Sequence, residues 1–299
     1  MLNRRSLATK LHNFRLRWSG ILSGERAKYP APPHPIGIFT HHKTGTVLLA
    51  KVFGDLCTWF GWSGSTAWGQ SSEWPAESNV RHFLHSETNP NQFPQPYRGI
   101  HVVRHPVTLL LSSYHYHLRT DEEWCTNENF HEEAPIGYPQ VPANRTHCHE
   151  AWKIKYLHGL NGVSYQRNLH QLNRTDGISF ELERHTKFTL EGMRDWQPDP
   201  SRVKEMKFEE FAHHFDATFR EVFLHLEFPP PLLKRALRLA QHHDLSRASR
   251  SQLARNSHYT GADNPSRRKD LTPQHLARLE EIAPGLSDNL GYNRVHGGT

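Results

Sequence analysis

Ile36-Gly37-Ile38-Phe39-Thr40-His41-His42-Lys43-Thr44-Gly45-Thr46-Val47-Leu48-Leu49-Ala50-Lys51-Val52-Phe53 decides how this chain folds. The first five residues are a short, almost wholly apolar run. From Val47 onward apolar residues recur at helical spacing. The order reads as a buried strand, a tight turn, and an amphipathic helix that opens at residue 44 and ends before Gly61. Lys43 and Gly45 in that turn put one cation and several backbone N–H groups at a helix N-terminus. The helix macrodipole is positive there, so the turn suits a phosphate or a sulfate.

The same alternation continues outward. Val80 to Leu84 reads as a second strand, extended by His85. Gly99-Ile100-His101-Val102-Val103-Arg104 reads as a buried strand ending in a charge, and His105-Pro106 opens a helix over Val107 to Leu118. Helical patterns cover about 150–172 and 176–194; Arg202 to Phe208 alternates as a strand, with a helix over Glu209 to Leu226 and another over 231–243. A last helix follows Thr272-Pro273 and ends before Gly285. Residues 61–79 and 86–98 read as loops, 119–150 as an irregular insertion or lid, and 246–270 as an extended basic segment. The expected fold is α/β: a P-loop-like central parallel sheet flanked by helices, in a single domain over 36–299. Residues 1–35 form a basic amphipathic helix and a proline-rich connector.

Composition narrows the class. The chain has 299 residues, a net charge of +6 and 36% hydrophobic residues, enough for a real core and biased towards anionic partners. Three cysteines (Cys57, Cys125, Cys148) argue against a disulfide framework and for a reducing compartment, the cytoplasm. No apolar run approaches the ~20 residues that span a bilayer, and the first 24 residues hold no apolar block of a secretory leader. The sequons at Asn144 and Asn173 are therefore read as chance matches. Arg4, Arg5, Lys10, Arg15 and Arg17, with Leu7, Leu11, Phe14 and Trp18 at helical spacing, leave contact with a membrane surface open. The 24 histidines are mostly surface or satisfied polar residues. Cys125, His131, His147, Cys148 and His149 fit no regular zinc spacing, so no metal site is expected.

A Walker loop would show G-x-x-x-x-G-K-[ST]. Here the lysine stands two residues before the glycine. This Lys-x-Gly-Thr turn after a strand resembles the 5′-phosphosulfate loop of sulfotransferases that use 3′-phosphoadenylyl sulfate (PAPS). Arg104-His105-Pro106, with Ser112 eight residues after the arginine, resembles the same family's 3′-phosphate motif. An arginine at the end of a sheet strand faces the ligand crevice of an open α/β fold, and its fork suits a phosphate. Three looser matches lie elsewhere. Met206-Lys207-Phe208-Glu209 stands where the family places an aromatic against adenine. Arg267-Arg268-Lys269 stands where a basic loop closes over the 3′-phosphate, and which of the three makes that contact is open. Asp176 to Leu182 resembles a helix start of bacterial-type members. One departure is plain: Val47-Leu48 occupy the place of an adenine-stacking tryptophan.

The resemblance implies transfer of a sulfuryl group from PAPS to an acceptor hydroxyl or amine by in-line displacement, leaving adenosine 3′,5′-bisphosphate. Lys43 would neutralise the leaving oxygen; the N–H groups of Thr44, Gly45 and Thr46, with the two threonine hydroxyls, would hold the 5′-phosphate. Arg104, Ser112 and one or more of Arg267, Arg268 and Lys269 would hold the 3′-phosphate, with Phe208 on the adenine. The acceptor base would be His85, with Glu87 as the carboxylate alternative; His41 and His42 would shape the loop. His82 would point to the opposite face from His85 on a regular strand. The acceptor, a small molecule or a carbohydrate, would meet 61–79 and 119–150, where Trp62, Trp68, Trp74 and Trp124 suit a ring or a lid core. A P-loop-type kinase, or a basic nucleic-acid-binding protein, is the rival reading.

Overall fold

A computed structural model of the chain describes residues 29–67, 74–86, 88–93, 96–126, 128, 159–160, 162–247 and 265–292. The elements run β1 (Ile36–Thr40), α1 (Thr46–Phe60), β2 (Gly64–Ala67), β3 (Val80–Leu84), β4 (Arg98–Val103), α2 (Pro106–His117), α3 (Glu123–Thr126), α4 (Tyr165–Gln171) and α5 (Arg174–Glu181). A π-helical turn (Leu182–Thr186) leads into α6 (Lys187–Asp195), β5 (Val203–Lys207), α7 (Phe208–His213), α8 (Phe215–His225), α9 (Pro230–Gln241), α10 (Pro273–Ile282) and α11 (Leu286–Asn289). These gather into two compact units. One takes the described residues through Val103 and those from Trp196 to Arg247; the other takes Arg104 to Asp195 and residues 265–292.

The first unit is built on a five-stranded parallel sheet in the order β2-β3-β1-β4-β5. Every residue of β1 and of β3 is buried, as expected of parallel strands covered on both faces. Ile36 and Ile38 point into one core with the α1 stripe Leu49, Val52, Phe53, Leu56 and Phe60, and with Phe219, Phe223 and Ala236 from α8 and α9. Phe39, one residue out of phase, faces an aromatic cluster with Phe83, Trp74, Phe93, Tyr97 and Trp196. Phe39 and Phe83 stack with ring centroids 4.8 Å apart. Gly61 ends α1 in the left-handed conformation (φ 70) and its N–H bonds to the Cys57 carbonyl. The chain leaves central β1 for the β2 edge, returns through β3, then crosses to β4. In open α/β sheets such a reversal opens a ligand crevice beyond the carboxyl ends of the strands. The Lys43 turn follows β1 at that end.

The second unit is helical. Its centre is a buried carboxylate, Glu181, which accepts from His117 Nδ1 at 2.7 Å, Tyr165 Oη at 2.9 Å and Thr186 Oγ1 at 2.9 Å. Thr186 is five residues beyond Glu181, the spacing that a π-helical turn brings into line. His275 ties α10 to α5: its Nδ1 completes a capping box with Thr272, and its Nε2 donates to the Thr175 carbonyl at 3.0 Å.

Several expectations change. Residues 64–67 are a strand, not loop. Gly-Ser-Thr-Ala has no apolar alternation, and pairing with β3 at the sheet edge makes it a strand. The helix expected over Glu209 to Leu226 is two, α7 and α8, broken at His214 (φ −129). Phe208 opens α7 instead of ending β5. Residues 265–270 form a 3-10 helix, not an extended segment. The first 28 residues, 129–158 and 248–264 lie outside the described residues, and with them the N-terminal helix, most of the insertion, and His131, His147, Cys148 and His149. Cys125 is buried and its Sγ faces the His117 carbonyl. No helix among the described residues is long and apolar enough to cross a membrane.

Leu56 is fully buried in the core beneath α1. Leu56→Ala should cost about 2–5 kcal/mol of unfolding free energy in denaturant titrations. A loss under about 1 kcal/mol would mean that α1 does not cover the sheet as described.

Candidate functional site

The turn between β1 and α1 is held from inside by one carbonyl. The His41 oxygen accepts from the Thr44 N–H at 3.3 Å and lies 3.1 Å from Thr44 Oγ1 and 3.0 Å from Thr46 Oγ1. Thr44 Oγ1 also accepts from the His41 N–H at 2.8 Å, so this fully buried side chain closes the turn on itself. Thr46 Oγ1 is equally close, 3.0 Å, to Thr40 Oγ1. Both hydroxyls thus lie within hydrogen-bonding distance of oxygens inside the loop. Backbone N–H groups are the donors that remain suited to an anion. Gly45 caps α1 at φ 97, no side chain caps the helix, and its first turn carries no acid. A β-carbon at Gly45 would sit 3.0 Å from Phe208 Cδ2. Glycine is required there on two counts, its left-handed backbone and the ring lying against it. Phe208 therefore packs against the loop at Gly45. Lys43 itself has φ 62, a left-handed conformation that costs a lysine about 1–2 kcal/mol. Its side chain is partly exposed.

Five histidines surround this turn. His82 Nε2 lies 3.0 Å from Thr40 Oγ1, and His41 Nε2 lies 2.8 Å from His101 Nε2. His42 and His85 stack in parallel with centroids 6.1 Å apart. β3 ends at Leu84, one residue earlier than expected, and His85 turns left-handed at φ 65. The strand alternation that would set His82 and His85 on opposite faces therefore stops before His85, and the two rings lie close enough to repel each other's cations. Burial lowers His85 to a pKa of about 4 and His82, with His85 adding repulsion, to about 3. His41 is held well below the ordinary value by burial first, then by His101 and His85. His41, His82 and His85 are thereby held as neutral imidazoles at pH 7, the form that accepts a proton. Glu87 lies outside the described residues.

The second unit brings Arg104 and Ser112 together. Arg104 is buried; its Nη1 donates to Ser112 Oγ at 3.0 Å and its Nε to Thr108 Oγ1 at 3.2 Å. These contacts exist because positions 108 and 112 are one turn apart on α2, so the guanidinium lies along a single helix face. The same face continues through His115 and Arg119. Arg267 reaches it from the 3-10 helix: after burial, its charge is the next cause lowering both His115, to about 4, and Arg119. Of the three basic residues 267–269, Arg267 alone is partly buried, while Arg268 and Lys269 are exposed. Asp270 pairs with Arg174 at 2.7 Å and lies 3.9 Å from His115. His105 caps α2 through Nδ1, which accepts from the Val107 N–H at 3.1 Å.

Sequence reasoning missed His101 and Glu205. A histidine inside the apolar run Ile100-His101-Val102-Val103 was the available signal for the first. Glu205 becomes visible only through the register that pairs it with His101 across β4 and β5. Two tryptophans expected near an acceptor are core residues: Trp62 is 2% exposed and donates to the Pro30 carbonyl at 3.1 Å, and Trp74 sits in the aromatic cluster. Trp124 stacks on His185 at 5.2 Å. Trp68 lies outside the described residues.

Neutral buried histidines make folding sensitive to acid. Unfolded imidazoles titrate near ~6.5, whereas folded His85 and His82 do so at about 4 and about 3. Below pH ~6.5 the unfolded chain binds more protons, so stability is lost as pH falls from there towards 4. The melting temperature should therefore drop between pH 7 and pH 5, less steeply in His85→Gln. A flat profile would contradict the burial of these rings.

No protein-family model matches the chain, and no curated protein matches it. Among solved structures it is similar to mouse sulfotransferase SULT7A1 complexed with PAP, at 14% identity over 88% of this chain and 86% of that one, with a TM-score of 0.40.

Proposed function

We propose that this chain is a sulfotransferase that moves a sulfuryl group from PAPS to an acceptor hydroxyl or amine. The observation that carries the reading is the bond from Arg104 Nη1 to Ser112 Oγ. It supports a preset guanidinium fork for a phosphate, in a chain whose β1–α1 turn already suits a sulfate or phosphate. One anion at each place is what a nucleotide with 5′ and 3′ phosphates requires.

In this reading the N–H groups at the start of α1 hold the 5′-phosphate, with the macrodipole adding favourable charge. Arg104, Ser112 and Arg267 hold the 3′-phosphate, with Arg268 and Lys269 supplying longer-range charge. Phe208 offers its ring to the adenine beside Gly45. The acceptor oxygen or nitrogen attacks sulfur as the bond from sulfur to the bridging phosphate oxygen breaks. Negative charge builds on that leaving oxygen, and the Lys43 ammonium neutralises it. The acceptor proton passes to His85, whose neutral imidazole is ready to take it, or to Glu87 as the carboxylate alternative. A small-molecule or carbohydrate acceptor remains the expectation.

Calorimetry should show binding of adenosine 3′,5′-bisphosphate in preference to ATP with Mg²⁺ or to single-stranded DNA. Lys43→Ala should lower kcat by about 10²–10³-fold with PAPS. Arg104→Lys, which keeps the charge and loses the fork, should weaken the bisphosphate about tenfold with little change in kcat. Preference for ATP with Mg²⁺ would favour a kinase, and unchanged kinetics in both variants would defeat the site assignment.

A further inference from the structure

A chain of three side chains runs from the sheet edge to the Lys43 loop. Glu205 on β5 pairs in register with His101 on β4, and His101 pairs with Phe39 on β1. Glu205 Oε2 lies 3.2 Å from His101 Nδ1, and His101 Nε2 lies 2.8 Å from His41 Nε2. The His101 side chain is fully buried, while that of Glu205 is 40% exposed. Trp196 covers His101 with ring centroids 4.0 Å apart.

Two ring nitrogens at this distance share one proton, so one donates and the other accepts. The carboxylate fixes which. Glu205 is acceptor-only when ionised, so His101 carries its proton on Nδ1 and presents a lone pair at Nε2. His41 must then donate from Nε2 and keep a bare Nδ1. Burial disfavours the cation on both rings; at His101 the Glu205 carboxylate works against burial, and at His41 the neighbouring His101 and His85 add to it. Two uncharged rings with one consistent set of tautomers follow. His41 is also the residue whose carbonyl closes the turn through Thr44 and Thr46. Orienting its ring orients the loop backbone.

We propose that Glu205 and His101 are positioning residues for the anion-binding loop, fixing His41 as its Nε2–H tautomer. The positioning role rests on the proposed function; the tautomer does not. Glu205 is open to solvent, so its variants should fold, and an unchanged melting temperature checks this. In long-range ¹H–¹⁵N spectra of the full chain at pH 7, His41 should show a protonated Nε2 and a bare Nδ1, its signals assigned by their loss in His41→Gln. Glu205→Leu removes the acceptor and should mix or reverse that pattern. It should also weaken adenosine 3′,5′-bisphosphate about tenfold. Glu205→Gln keeps a carbonyl acceptor and should stay within about threefold of the unaltered protein. A merely structural role would not give this tautomer shift with rescue by glutamine. His41 protonated on Nδ1 in the unaltered protein would overturn the proposal, as would a Glu205→Leu variant with unchanged tautomer and affinity. Failure of the unaltered protein to bind the bisphosphate would instead overturn the functional reading and the positioning role with it, and the spectra alone would then judge the tautomer.

Discussion

A tight turn between a buried strand and a buried helix must satisfy its own polar backbone without help from water. Here the carbonyl of His41 does most of that, gathering the Thr44 N–H and the hydroxyls of Thr44 and Thr46. With the inner side of the turn satisfied this way, the N–H groups at the start of α1 are left for its outer side. Gly45 supplies the left-handed backbone, and Phe208 fills the space that any larger residue would need. The position of Lys43, the course of α1 and the direction of its dipole all follow from this turn.

Around it, buried histidines replace apolar residues at the carboxyl ends of β1, β3 and β4. Burial keeps His41, His82, His85 and His101 neutral, and the His41–His101, His82–Thr40 and His101–Glu205 hydrogen bonds orient the rings that make them. The cost appears as sensitivity to acid, because each ring would gain a proton on unfolding. Arg104 shows the same economy in the second unit. Its guanidinium is buried, and two hydroxyls of α2 set the direction of its fork.

What the sequence disclosed depended on range. The strand-turn-helix around Lys43 rests on spacings within eighteen residues, and the Arg104–Ser112 pair on eight, so both were legible. Strand β2 was not, since Gly-Ser-Thr-Ala acquires its conformation from pairing with β3. The break at His214 falls inside the regular spacing of Phe211, Phe215 and Phe219, which reads as one helix. Glu205 and His101 lie 104 residues apart and meet only through sheet register. His85 was legible as a residue near the strand end, but its left-handed turn was not, because a histidine gives no local signal for positive φ.

The proposed function requires a ligand with two phosphates, one for the Lys43 turn and one for the Arg104–Ser112 fork. Its most direct test compares the affinities of adenosine 3′,5′-bisphosphate, adenosine 5′-monophosphate and adenosine 3′-monophosphate under identical salt. The bisphosphate should bind at least about tenfold more tightly than either monophosphate, since each phosphate contributes charge-assisted hydrogen bonds. Equal affinity for the bisphosphate and one monophosphate would contradict that requirement, leaving a single anion site.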